Sequence, residues 1–439
     1  QDKKIAMPQI DAAVKRVLEA KYKLGLFDDP YRYINEERAT KEIMSPDKLM
    51  FAKEMAERSI VLLKNDPAPD LTPSGEGRLL PLKKSGTIAV IGPLADDQRD
   101  MIGAWSAAGD WHKAVGILQG IKDKLGSDGT VLYAKGANII DDTAMLKKLN
   151  AFGADISTDK LNPDQLIQQA VETAKKATVV VLCLGESEGM TGEAASRAHI
   201  GIPGNQEKLM KAVYATGKPV VLLLSNGRPL TLPWEDAHIP AIMETWFLGT
   251  EAGNAIADVL FGDYNPSGKL TMSFPVAVGQ IPVYYDHKNT GRPMNPANKY
   301  SSKYLDIPND PLYPFGFGLS YTKFDYSDIT LGEAVMHPGD KLGVSVTVTN
   351  DGDYDGTETV QLYTRQMVAD VTRPVKELKG FSRVFLKKGE HKTVKFMLTA
   401  DELKFYNQDT RWVNEPGDIK IFVGGNSRDV KEADFKLAR

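Results

Sequence analysis

The chain has 439 residues, with 54 Lys plus Arg against 58 Asp plus Glu and a formal net charge of −4. At roughly 150 residues per domain that length predicts two or three domains, and without a basic excess the chain lacks the face that offsets phosphates, which excludes a nucleic-acid partner. A hydrophobic fraction of 42% excludes wholesale disorder, and no apolar run reaches the ~18 residues of a membrane-spanning helix.

Ile10, Val14, Val17 and Leu18 recur at helical spacing, and Gly25 follows as a stop signal. The expected helix has little to bury its face against. A second helix is predicted over 46–63, with Leu49, Ala52, Met55, Ala56 and Ile60 on one side. Pro, Gly and Asp crowd 66–78, which reads as a surface loop.

From Thr87 onward short apolar runs alternate with helical patterns. The runs 87–91, 130–133, 178–184, 219–224 and 241–247 are nearly continuous, as strands buried on both faces of a parallel sheet should be. Between them lie helical patterns such as Leu166, Ile167, Ala170, Val171 and Ala174, then Leu209, Met210 and Val213. The predicted fold class over 46–275 is an α/β sandwich, an open and mostly parallel sheet flanked by helices. The lone Cys183 inside the third run reads as a small buried hydrophobe.

Residues 276–325 are rich in Pro, Tyr, Asn and Gly and form an extended linker, too long for an ordinary connection. Beyond it the period becomes two. Leu342, Val344, Val346 and Val348 alternate, as do Val394, Phe396 and Leu398, then Ile419, Ile421 and Val423. That spacing predicts an all-β sandwich over 326–439.

The first strand of the α/β part ends Val90-Ile91-Gly92-Pro93-Leu94-Ala95-Asp96, with one glycine where a dinucleotide site wants three, so no cofactor is expected. The six His are scattered without metal-ligand spacing, and no Gly-x-Ser-x-Gly elbow occurs. The strongest local feature is Gly185-Glu186-Ser187-Glu188-Gly189-Met190-Thr191-Gly192-Glu193, which follows a buried strand and ends near Arg197. In open α/β sheets ligands gather outside the carboxyl ends of the strands, where this loop would sit; the plain alternative is a solvated acidic loop. Glu193 and Arg197 are four apart and would pair if that stretch were helical.

Asp96, Asp97, Arg99 and Asp100, and Asn226-Gly227-Arg228, sit at equivalent strand ends. For Arg228 the expected role is helix capping or an inter-domain salt bridge. Trp105 and Trp111 flank a Gly109-Asp110 turn and would either stack on sugar rings or fill a domain interface.

Taken together, several motifs resemble glycoside hydrolase family 3, of the periplasmic β-glucosidase type. They are Lys23-Leu24-Gly25-Leu26-Phe27, Ala56-Glu57-Arg58-Ser59-Ile60-Val61-Leu62-Leu63-Lys64-Asn65, and Gly192-Glu193-Ala194-Ala195-Ser196-Arg197. The likeness continues in Ala257-Asp258-Val259-Leu260-Phe261-Gly262-Asp263, Asn265-Pro266-Ser267-Gly268-Lys269-Leu270 and Tyr313-Pro314-Phe315-Gly316-Phe317-Gly318-Leu319-Ser320-Tyr321.

The resemblance implies an N-terminal barrel, an α/β sandwich and a fibronectin type III-like domain. It implies a retaining mechanism with two carboxyl groups about 5–5.5 Å apart: a barrel Asp in a Ser-Asp-aromatic setting as nucleophile, and a sandwich-domain Glu as acid/base. Neither Ser127-Asp128-Gly129 nor Ser327-Asp328 matches the nucleophile setting.

Residues 1–45 correspond to the last barrel helix and a linker. With Gln at position 1, the expectation is a C-terminal portion cut from a longer protein, inactive alone, whose partners are the missing barrel and a β-linked oligosaccharide or glucoside. Glu193 matches the acid/base position, with Glu188 and Glu186 as alternatives, and the implied location is periplasmic or secreted. The competing reading is a non-catalytic carbohydrate- or partner-binding module.

Overall fold

A computed structural model describes residues 4–67, 77–151, 153–337 and 339–438. Most of the loop expected over 66–78 lies outside them. The chain forms two compact units that divide after Phe51. In the first, α1 (Met7–Lys23) is stopped by Gly25, whose φ of +68° is the left-handed conformation that favours glycine, and α2 (Glu36–Glu42) is capped by the Asn35 side chain. No residue of α1 is buried.

Helix α3 (Pro46–Ser59) stops four residues before the predicted end, and β1 (Val61–Asn65) follows. Ile60 through Leu63 are buried without a break, which a helix with one apolar side cannot achieve. As a strand the segment pairs antiparallel with 241–244, Val61 opposite Glu244.

The strands β2 (Gly86–Ile91), β3 (Gly129–Ala134), β4 (Val179–Gly185), β5 (Val220–Ser225) and β6 (Ala241–Glu244) complete a sheet ordered β1-β6-β5-β4-β2-β3, parallel apart from β1. Alternate strand residues feed two cores. Val181, Cys183, Val221 and Leu223 face one side with α4 (Ile117–Leu125) and, later in the chain, residues 252–260. Beyond α5 (Thr143–Ala151), α6 (Pro163–Lys175) and α7 (Gln206–Tyr214) cover Val180, Leu182, Val220 and Leu222 on the other face. After α8 (Pro233–His238), α9 (Ala252–Leu260) packs on α4 through Gly120, where an added Cβ would lie 2.1 Å from Gly253 O. The run 130–133 departs from expectation: β3 is the sheet's edge, and Tyr133 stays exposed.

The segment 276–325 folds back on both sides. Its residues Tyr313 and Leu319 form bridges with Phe274 and Leu62, and Lys288 forms one with Pro374.

After β7 (Phe324–Tyr326), β8 (Thr330–Leu331) and β9 (Val335–Met336) come β10 (Lys341–Asn350), β11 (Gly356–Gln366), β12 (Glu377–Leu386) and β13 (His391–Thr399). The short β14 (Phe405–Tyr406) and β15 (Trp412–Val413) precede β16 (Gly417–Gly424) and β17 (Val430–Leu437). One sheet runs β13-β10-β7, with β8 also on β10; the facing sheet runs β12-β11-β16-β17-β9. Val344, Val346, Val348, Leu362, Ile421 and Phe435 fill the space between them, as the period of two predicts. This is a fibronectin type III-like sandwich following an α/β sandwich.

Candidate active site

β2 lies between β3 and β4, so the winding of the sheet reverses there and the loops leaving β2 and β4 diverge outside their carboxyl ends. Three loops meet at this switch point. A Cβ on Gly192 would lie 3.3 Å from Ala104 Cβ and 3.8 Å from Trp105 Nε1, and one on Gly227 would fall 2.3 Å from Thr191 Oγ1.

Glu186 is the anchor. Its carboxylate is fully buried between two guanidinium groups, Arg197 Nη1 at 2.6 Å and Arg228 Nε at 3.0 Å. Arg228 also donates through Nη2 to Ala195 O at 2.7 Å and to Met190 O, while Arg197 reaches Gly201 O at 3.1 Å. The two arginines thereby tie the loop to itself at both ends. The predicted Glu193–Arg197 pair is not formed, because the stretch is irregular rather than helical and Arg197 turns inward to Glu186. Arg228 acts within the α/β part, not as a salt bridge between domains.

A second tie comes from the loop after β2. Asp100, 3% exposed, accepts from Ser187 Oγ at 2.9 Å and from the backbone N–H of Glu188 at 2.8 Å. Burial, reinforced by the neighbouring Asp97, pushes the Asp100 carboxyl well above its usual range. Glu188 itself is half-buried, 4.0 Å from Arg99 Nε. Burial raises it while Arg99 opposes the rise.

Beneath the loop, Asn226 Nδ2 donates to Glu244 Oε2 at 2.9 Å, and the Trp246 N–H donates to Glu244 Oε1 at 3.0 Å. Glu244 is fully buried and raised well above a normal glutamate by that burial. Sequence reasoning passed over it, although a carboxylate inside the apolar run 241–247 is itself a signal.

Glu193 occupies the crest. It follows Gly192, whose φ is +96°, and precedes Ala194 at +56°. It is exposed, and among the described residues no hydrogen bond or ion pair holds its carboxylate. Trp105 beside Gly192 is 76% exposed. Trp111 is half-buried and stacked on His112, ring centroids 3.6 Å apart. Among the described residues no cluster of His, Cys, Asp and Glu could hold a metal ion, and no helix is long and apolar enough to cross a membrane.

The fold and loop define an α/β domain that presents a carboxylate at its switch point and continues into a β sandwich. The glycosyl hydrolase family 3 C-terminal domain matches residues 60–321, and a fibronectin type III-like domain matches 358–427. This chain belongs to glycoside hydrolase family 3.

It is 50% identical over 439 residues to a periplasmic beta-glucosidase of Salmonella typhimurium, covering 99% of this chain and 56% of that protein. It is 41% identical to a beta-xylosidase of Formosa agariphila, covering 96% and 54%. A crystal structure of the Listeria innocua beta-glucosidase in complex with glucose superposes with a TM-score of 0.85 at 39% identity, covering 99% of this chain and 55% of that one. The chain spans about half the length of the relatives it matches.

Proposed function

We propose that this chain is the C-terminal part of a retaining β-glucosidase acting on terminal non-reducing β-D-glucosyl residues, with Glu193 as the acid/base. The name of the Salmonella relative supports the substrate class and a periplasmic location. The parts are read as 1–45, 46–275, 276–325 and 326–439, with the nucleophile Asp contributed by a barrel in the half of the relatives that this chain does not span.

The observation that carries the reading is the contrast among three glutamates. A general acid that serves a nucleophile from another domain must be free to touch the glycosidic oxygen. Glu186 is buried and doubly ion-paired, and Glu188 faces inward against Arg99. Only Glu193 of the three is exposed and unengaged among the described residues.

In the first step the barrel carboxylate attacks the anomeric carbon, the bond to the leaving oxygen breaks, and the Glu193 proton goes to that oxygen. In the second, Glu193 takes a proton from water as the water displaces the carboxylate. Trp105 would stack on the group being released. No cofactor takes part.

The purified chain should show no turnover of 4-nitrophenyl β-D-glucoside. Fused behind the part of the Salmonella relative that it does not match, it should turn the substrate over. Turnover by the 439-residue chain alone would contradict the reading.

A further inference from the structure

One face of the β12-β11-β16-β17-β9 sheet turns away from its core and is covered by the 276–325 segment. Gln361, Tyr363 and Arg365 alternate onto that face from β11, opposite Gly424, Phe422 and Lys420 of β16. Tyr285 fills part of it, stacked on Phe315 at 4.3 Å and edge-on to Tyr363 at 5.7 Å. The covering segment is pinned by the Val375 N–H donating to His287 O at 2.9 Å. It leaves a cavity of about 390 Å³ that none of the loops after β2, β4 or β5 lines.

The cations on this cavity's wall are incompletely matched. The guanidinium of half-buried Arg365 makes no hydrogen bond or ion pair among the described residues. Lys376 lies over the Phe422 ring at 4.7 Å, and its ammonium is met by the Ser427 carbonyl rather than by a carboxylate. Burial lowers the Lys376 pKa against the opposing negative charges of Glu432, Asp429 and Asp310, and the positive charge of Arg365 adds a smaller lowering. Arg428 stands at the rim, 3.4 Å from Asp429. Two carboxylates line the same space, but Glu432 is already taken by Lys420 at 3.2 Å and Arg428 by Asp429, which leaves Asp310 against Arg365 and Lys376. An unpaired guanidinium in a half-enclosed space is a fork for a planar carboxylate. The half-exposed Tyr284 ring beside it offers an apolar face.

We propose that this cavity binds a sugar acid of hexuronate size, its carboxylate on Arg365 and Lys376 and its ring against Tyr284. The volume falls in the range of small-molecule sites. Because it uses no residue of the candidate active site, the proposal is independent of the glucosidase reading.

The test is calorimetric titration of the 439-residue chain with D-glucuronate, D-glucose and inorganic phosphate at one ionic strength. The expected result is saturable glucuronate binding with a Kd on the order of 1 mM or tighter. Arg365→Gln and Lys376→Met should each weaken it about tenfold or more, with unfolding midpoints near the parent's. Absence of saturable glucuronate binding overturns the proposal. So does unchanged affinity in both variants, and so does phosphate binding as tight as glucuronate, which would mark a general oxyanion site.

Discussion

Arg228 Nη2 donates to the carbonyl of Ala195 at 2.7 Å, two residues beyond Glu193, while its Nε holds the buried Glu186 carboxylate at 3.0 Å. One side chain thus joins the floor of the loop to its crest. Removing one partner of a buried ion pair leaves the other desolvated and poorly matched. Arg228→Gln should therefore lower stability in urea unfolding by about 3 kcal/mol. Loss of under about 0.5 kcal/mol, the usual scale for a surface change, would deny Arg228 this role.

The carboxyl of Glu57 makes stability depend on pH. Burial, followed by its hydrogen bond to Asp258, raises it from 4.5 to about 7. Between those values the folded chain keeps a proton that the unfolded chain has lost. This contribution is therefore fully present below about pH 4.5 and disappears as pH rises through about 7. The stability of the parent minus that of Glu57→Gln, measured by urea unfolding from pH 4.5 to 7.5, should fall as pH rises, because only the parent loses this contribution. A signed difference that stays flat or rises would contradict the assignment.

The α4–α9 contact admits no side chain at Gly120, where an added Cβ would meet the Gly253 backbone at 2.1 Å. Gly120→Ala should lower stability by about 1–3 kcal/mol through overpacking, read as a fall in Tm. An unchanged or higher Tm, the usual result of Gly→Ala in an unhindered helix, would mean that the helices can part there.

The two α/β cores were legible because each of the runs 179–184 and 220–224 is apolar at every position, which only a strand covered on both faces requires. β1 was not, since 60–63 continues the apolar side of α3 and nothing local marks the switch. The acidic loop was legible as a cluster, but not its division of labour. Glu186 finds Arg197 eleven residues away and Arg228 forty-two away, and such pairings are set by the three-dimensional arrangement of strand ends. Asp100 likewise reaches across from β2 to β4.

Trp105 stands exposed beside the loop that carries Glu193. If it stacks on the released group, Trp105→Ala in the barrel fusion should raise KM for a disaccharide by about 2- to 12-fold, the scale of a single aromatic contact, with kcat little changed. An unchanged KM would remove Trp105 from the binding surface.

The assignment of Glu193 is tested most directly by leaving-group dependence in the same fusion. A general acid contributes about 10²–10⁴-fold, and only where the departing oxygen needs a proton. Glu193→Ala should therefore slow kcat/KM for 4-methylphenyl β-D-glucoside by about 100-fold or more while slowing the 2,4-dinitrophenyl glucoside far less. Parental rates on both substrates in Glu193→Ala, with the selective loss appearing instead in Glu188→Ala, would contradict the account.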